Sequence, residues 1–268
     1  MKSGVFEKSF FGKLAIVTGG ASGIGKSITE ILLSLGCNVV VVDFNQDNLD
    51  ALKLAHHNSK LRTEKLDVTN EEHVNQLINN VKQSNKKIDY AFLVAGISKT
   101  GSIYEQNSSD WKATIDVNLI SNFYWLKYLG NVMREEKKGS IVVVGSLNSH
   151  VPMLGGSAYA SSKAGVEMLV KNASIEMAQD GIRVNCILPG LTDTPLTHKI
   201  MEDKVKKSEF DRVCPEKRFA TVDEIAWPAI FLASDLSCYM NGSSLVVDGG
   251  WQNTGYGNID YRSFVITK

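Results

Sequence analysis

Short, nearly unbroken runs of β-branched and apolar residues alternate with helix-length patterns through the first 190 residues. No other feature constrains the fold of this chain so tightly. The runs are LAIVT (14–18), NVVVVD (38–43), LRTEKLD (61–67), YAFLVA (90–95), SIVVVGS (140–146) and RVNCIL (183–188), with SLVVD (244–248) as a seventh. Several lack the polar alternation of a sheet with one wet face, so they read as parallel strands covered on both sides. Helical patterns at 24–35, 71–84, 112–136, 158–179 and 222–234 supply the covering layers. Strands joined through helices cross over right-handed, which predicts an α/β fold: a doubly wound parallel sheet of about seven strands with helices on both faces. The 268-residue length suits a single such domain at 1–250, with a tail at 251–268.

Ligands of such a sheet sit outside the carboxyl ends of the strands. There, after the first run, the chain reads GASGIGKS (20–27). The string fits the phosphate-loop pattern G-x-x-x-x-G-K-[ST] of a nucleoside triphosphatase. Taken from two residues earlier, TGGASGIG (18–25) is equally a glycine-rich turn for a dinucleotide. Both readings use backbone N–H groups and a helix N-terminus to hold phosphate, so the loop alone does not separate them. Spacing favours the dinucleotide, because Asp43 follows Gly23 by twenty residues, where a carboxylate meets the adenosine ribose hydroxyls.

Composition narrows the classes. Lys+Arg and Asp+Glu both number 29, so no net positive charge recommends a nucleic-acid or membrane-surface partner. The four cysteines (Cys37, Cys186, Cys214, Cys238) form no C-x-x-C pair and read as reduced thiols, with no metal site expected. The first thirteen residues lack the apolar core of a secretory signal, and no run is long enough to cross a bilayer, so the expected location is cytoplasmic.

The segment YASSK (159–163) sets Tyr159 and Lys163 four residues apart on a helical pattern, hence on one face. A phenol normally ionises near pH 10; a neighbouring ammonium would stabilise the phenolate and fit it for acid–base work. Taken by itself, Y-x-x-x-K is more often a surface helix with a buried Tyr and a solvated Lys. Ser146, at the end of its strand run, could donate to a substrate oxygen, although strand-end serines usually serve local backbone. Asn118, in IDVNLIS (115–121), lies on a helical pattern crossing the same sheet face.

Taken together, in this order and spacing, TGGASGIG (18–25), DV (67–68), AG (95–96), Asn118, Ser146, YASSK, PGLTDT (189–194) and VVDGG (246–250) resemble a classical short-chain dehydrogenase/reductase across residues 11–250. The resemblance implies a Rossmann-type oxidoreductase and makes the phosphate-loop match coincidental. It implies that Tyr159 is the acid/base and that Lys163 holds the nicotinamide ribose and lowers the tyrosine pKa. Ser146 would orient the substrate oxygen, and Asn118 would anchor a water linking Lys163 to solvent. Gly19, Gly23, Ile24 and Gly25 match the pyrophosphate turn, Asp67 and Val68 the adenine contacts, and Ala95 and Gly96 the strand end beside the adenosine ribose. Pro189, Gly190, Leu191 and Thr194 match the segment at the nicotinamide carboxamide. The expected cofactor is NAD: Asp43 repels a 2′-phosphate, and the usual basic positions hold Ser22 and Phe44. The chain departs from the family's N-N-A-G at LVAG (93–96).

The charged, amphipathic insertion at 195–219 matches the family's substrate lid, with Leu196, Ile200, Val205 and Phe210 as candidate pocket residues and Met153, Leu154 and Leu191 as further apolar wall. A small secondary alcohol or its ketone, cyclic ones included, suits such a pocket. Two alternatives stand beside this: an NADPH-dependent 3-oxoacyl thioester reductase, and a non-catalytic NAD(H)-binding regulator. The family commonly forms homotetramers through helices matching 112–136 and 158–179, where Phe123, Tyr124, Trp125 and Tyr128 suit either an interface or the core.

Overall fold

A computed structural model describes residues 3–84 and 87–254. All seven predicted strands form: β1 (Leu14–Thr18), β2 (Asn38–Asp43), β3 (Leu61–Lys65), β4 (Tyr90–Leu93), β5 (Gly139–Val144), β6 (Ile182–Pro189) and β7 (Ser244–Val247). They make one parallel sheet in the order β3-β2-β1-β4-β5-β6-β7. The continuous apolar runs are explained by the two cores that this sheet separates. In β1, Leu14 and Ile16 join one cluster while Ala15 and Val17 join the other; in β2, Val40 and Val42 part in the same way from Val39 and Val41.

The first core is covered by α4 (Glu71–Gln83), α6 (Ser121–Glu135) and α7 (Ser157–Met177), which contribute Leu77, Trp125 and Val166 among others. The second is covered by α1 (Ser3–Phe10), α2 (Gly23–Ser34), α3 (Gln46–Ala55) and α10 (Val222–Ala233), with Phe10, Ile28, Leu49 and Ile230. The long pattern at 112–136 is interrupted: α5 (Ser108–Ile115) leads through a π turn at Asp116–Ile120 into α6. The 195–219 insertion holds two short helices, α8 (His198–Glu202) and α9 (Lys204–Val213). No helix among the described residues is long and apolar enough to cross a membrane.

The strand order reverses beside β1, where the chain leaves β3 and returns as β4, and this switch point opens a crevice at the strands' carboxyl ends. Thr18, the last residue of β1, fixes the far lip. Its Oγ1 accepts from Val94 N (3.0 Å) and Ala95 N (3.3 Å), so the LVAG strand end is held without the family's amides.

At the sheet's other end Arg183 joins β6 to the turn after α10. Its guanidinium donates to the carbonyls of Leu232 (3.0 Å), Ala233 (3.0 Å), Ser234 (3.0 Å) and Met240 (3.2 Å) and to Ser237 Oγ (3.1 Å). Replacing it with Met strands several half-buried carbonyls. Arg183→Met is expected to lower unfolding stability by about 3 kcal/mol or more, read from urea midpoints at unchanged m value.

Candidate active site

The crevice floor is built by the turn between β1 and α2. Gly19 (φ +62°) and Gly23 (φ +50°) adopt the left-handed backbone that favours glycine, and a Cβ on Gly25 would lie 2.1 Å from Gly19 O. The Ser22 hydroxyl does not cap α2, so the first-turn N–H groups of the helix, which have no intrahelical acceptor, are left for an anion. The phosphate-loop reading fails on geometry. Lys26 is exposed with its Nζ 3.9 Å from Glu30, and Ser27 is buried and donates to Asp223 Oδ1 at 2.6 Å. Neither side chain faces the crevice.

Two cavities run along the crevice. The first, about 200 Å³, is lined by Gly19, Ser22, Gly23, Ile24, Gly25, Pro189, Gly190 and Thr194 together with Ser146, Tyr159 and Lys163. The second, about 610 Å³, is lined by Asp43, Phe44, Asp67, Val68, Ala95 and Gly96, and shares Gly19, Ser22, Ala95 and Gly96 with the first. They form one trough whose polarity and length suit a dinucleotide. Leu191 lines neither part; it faces a small neighbouring cavity with Cys214 and Arg218, and Thr192 lines the trough in its place. Asp43 is fixed at the tip of β2, where its carboxylate accepts from Ala21 N (3.2 Å) and Asn45 N (3.0 Å).

The four catalytic candidates come from three elements. Strand β5 stops at Val144, and Ser146 caps the following turn; its Oγ accepts from Asn148 N at 3.1 Å and donates to Asn148 Oδ1 at 3.4 Å, a long bond that a substrate oxygen would replace. Tyr159 and Lys163 share a face of α7, with Lys163 Nζ 5.7 Å from the phenol ring centroid. Lys163 is 3% exposed, its Nζ donates to Val144 O at 2.8 Å, and burial pulls its pKa down to about 8.

The expected lowering of the Tyr159 pKa is not what the structure has. Burial pushes the phenol above its ordinary value, opposed by the hydrogen bond with Ser146. Helical spacing predicts a shared face; it is silent on how much solvent the fold removes. Around neutral pH Tyr159 therefore keeps its proton, the state that protonates a carbonyl oxygen.

Asn118 lines neither cavity. It sits fully buried in the π turn, where its Oδ1 accepts from Ile97 N (2.9 Å) and its Nδ2 donates to Ile97 O (2.9 Å) and Ser162 Oγ (3.0 Å). Ser162 Oγ in turn donates to Tyr159 O at 2.7 Å. The Asn118 side chain thus staples the β4 end to the catalytic helix. The Asn118 backbone carbonyl accepts from Asn122 Nδ2 at 2.6 Å.

Sequence reasoning overlooked Thr192, Thr197, Val144 and Gly145, which line the trough. It also overlooked Glu167, one turn beyond Lys163. This buried carboxylate accepts from Lys171 Nζ (2.9 Å) and Ser244 Oγ (2.9 Å) and pairs with His150 Nε2 (2.8 Å), which fastens the loop after Ser146 to α7 and β7. Its hydrogen bonds and the nearby cations hold its pKa below the ordinary carboxylate value against the effect of burial. The Y-x-x-x-K-x-x-x-E spacing was the available signal. Of the lid candidates, Leu196 lines the trough, whereas Phe210 packs on Phe219 and Trp251 and Val205 is exposed.

Comparisons with known proteins bear on the family and the fold. Residues 19–252 match a family profile described as enoyl-(acyl carrier protein) reductase. The chain is 35% identical to a 3-oxoacyl-(acyl-carrier-protein) reductase of Thermotoga maritima, over 89% of this chain and 97% of that protein. It is 33% identical to (+)-borneol dehydrogenase 1 of Salvia officinalis, over 93% of this chain and 97% of that one. Levodione reductase is similar in structure, with a TM-score of 0.87 at 29% identity, covering 92% of this chain and 100% of that one. So is a gluconate 5-dehydrogenase of Burkholderia cenocepacia, with a TM-score of 0.88 at 27% identity, covering 94% and 99%. The chain belongs to the short-chain dehydrogenase/reductase family and is an oxidoreductase.

Two substitutions test the site. Tyr159→Phe should cut turnover by about 10²–10⁴-fold while leaving NADH binding, read by fluorescence titration, intact. Glu167→Ala should lower kcat more than it weakens NADH binding, with partial recovery in Glu167→Gln; equal loss in both variants would show that the tie to His150 is immaterial.

Proposed function

We propose that this enzyme uses NAD(H) to interconvert a small secondary alcohol and its ketone, with Tyr159 as the acid/base. When bound, the cofactor supplies or accepts the hydride. The chain's own residues bind, orient and move the proton. In reduction, Ser146 Oγ–H orients the carbonyl oxygen and the Tyr159 phenol donates its proton as negative charge develops there. Lys163 has three donors and spends one on Val144, so two remain for the ribose hydroxyls. In oxidation the tyrosine takes the proton back. The complete set of Asn118, Ser146, Tyr159 and Lys163 speaks against a non-catalytic regulator, which has no use for a positioned phenol.

The observation that carries the choice of NAD is Asp43, a carboxylate held at the wall of the adenosine-side cavity. A 2′-phosphate placed there would meet like charge, whereas a free 2′-hydroxyl would donate to it. Lys99 lines the same cavity, but its Nζ lies 2.6 Å from Asp110. The second reading, an NADPH-dependent 3-oxoacyl thioester reductase, draws support from the similarity to the Thermotoga maritima protein.

The cytoplasm is the proposed location, and a homotetramer the proposed assembly. Trp111, Phe123, Met168 and Ile175 stand exposed on α5, α6 and α7 and would be covered by a second copy, whereas Trp125 belongs to the core.

Parallel titrations with NADH and NADPH test the cofactor choice. NADH is expected to bind about 100-fold tighter or more, and Asp43→Ser to narrow that gap. Equal affinities, or a preference for NADPH, would favour the oxoacyl reductase.

A further inference from the structure

Three large apolar side chains stand almost wholly in solvent on the loops that follow β4 and Ser146: Ile103 (78% exposed), Tyr104 (95%) and Leu154 (104%). The backbone holds them there. Gly101 N donates to Gly155 O at 2.9 Å and Ser157 Oγ donates to Gln106 Oε1 at 3.1 Å, which fastens the loop bearing Ile103 and Tyr104 onto the loop bearing Leu154. That second loop starts shortly after Ser146 and ends at Gly156, the N-cap of α7, three residues before Tyr159. From the lid, Leu196 lines the cavity beside Ser146 and Tyr159 and is itself 53% exposed.

The cavity holds only about 200 Å³, and much of its lining is the turn and strand ends that receive the cofactor. With the cofactor's share of this lining taken, a larger substrate would extend outward past it. Several polar groups nearby are already engaged, and Ser149 Oγ is buried without a partner. Lys99 pairs with Asp110, Ser102 Oγ donates to Glu105, Asn148 Nδ2 donates to Val151 O, and His150 pairs with Glu167. Lys163 is the one charged residue in the described lining of the cavity, and it is bound to Val144 O.

We propose that Ile103, Tyr104, Leu154 and Leu196 form an outer subsite for a hydrocarbon substituent of the substrate. The enzyme then acts on secondary alcohols and ketones with an extended apolar group rather than on polyols or hydroxy acids. This rests on the alcohol–ketone reading above. A polyol would bring hydroxyls to a surface with few free partners, and a carboxylate would find its cations already paired. An alkyl or terpenoid-like group would instead cover apolar surface now facing water.

Methyl ketones from butan-2-one to decan-2-one, assayed at saturating NADH, test the subsite. We expect kcat/KM to rise about two- to fourfold per added methylene until the rim is covered. In the double variant Tyr104→Ser, Leu154→Ser the decan-2-one to butan-2-one ratio should fall by about tenfold or more, with NADH affinity as the folding control. A flat series in the unsubstituted enzyme, or the same slope in the variant, would overturn the proposal. So would a variant that keeps the slope but changes oligomeric state by light scattering, because the surface would then be a contact between copies.

Ketone affinity for the enzyme–NAD complex, where no reduction can occur, separates the two levels. Affinity that climbs with chain length and is lost in the variant, without turnover of any ketone, supports the subsite and sinks the proposed reaction. Reduction of butan-2-one without length dependence sinks the subsite and spares the reaction.

Discussion

Much of this site hangs on a buried ammonium. Lys163 lies in the interior with its Nζ on the Val144 carbonyl, where β5 ends and the Ser146 turn begins. Removing a charge from water is costly, and the fall of its pKa to about 8 expresses that cost. The cost is accepted where the remaining N–H donors can meet a ligand. A Cβ on Gly96 would stand 3.5 Å from this ammonium and 3.3 Å from Asn118 Oδ1, so the β4 end passes close enough to be shaped by both. Asn118 then ties that strand end to Ser162 on the catalytic helix. Lys163 thus ties α7 to β5 while Asn118 and Ser162 tie it to the β4 end, and these elements carry the proposed acid/base and one wall of the trough.

The two ends of the trough are made by different physics. At the cofactor turn the backbone is the binding group, and the glycines matter for the space they leave: Gly25 has no room for a side chain against Gly19. At the catalytic end the binding groups are side chains, each oriented by a second one. Asn148 serves Ser146, Ser162 serves Asn118, and Glu167 holds the loop between Ser146 and α7. The lid stands apart from both, with Phe210 seated against Trp251 and only Leu196 of its named apolar residues reaching the cavity.

The architecture was legible because hydrophobic runs with no alternation are hard to place anywhere except a sheet covered twice. Every predicted strand is present to within a few residues. The candidate set was legible as a pattern of spacings, and the fold brings Ser146, Tyr159 and Lys163 to one cavity while Asn118 lies outside its lining. What the spacing could not carry was environment. The π turn at Asn118, the upward push on the Tyr159 pKa and the turning of Leu191 away from the trough all depend on packing between segments far apart in the chain. Glu167 was missed for the same reason, since its partners His150 and Ser244 are 17 and 77 residues away. The tail reading at 251–268 lies, beyond Thr254, outside the described residues.

The central claim is that Tyr159 enters the reduction as a protonated phenol. Its pKa is raised, so the donor is fully present at neutral pH and is lost only as pH climbs through that raised value. The most direct measurement is the rate of ketone reduction at saturating NADH from about pH 6 to 11, in the unsubstituted enzyme and in Tyr159→Phe. The account predicts activity that is level through neutrality and falls in alkali, first as Lys163 loses its proton near pH 8 in both proteins and further, in the unsubstituted enzyme alone, as Tyr159 ionises. A reduction rate that rises with pH, or an alkaline fall unchanged in Tyr159→Phe, would contradict it.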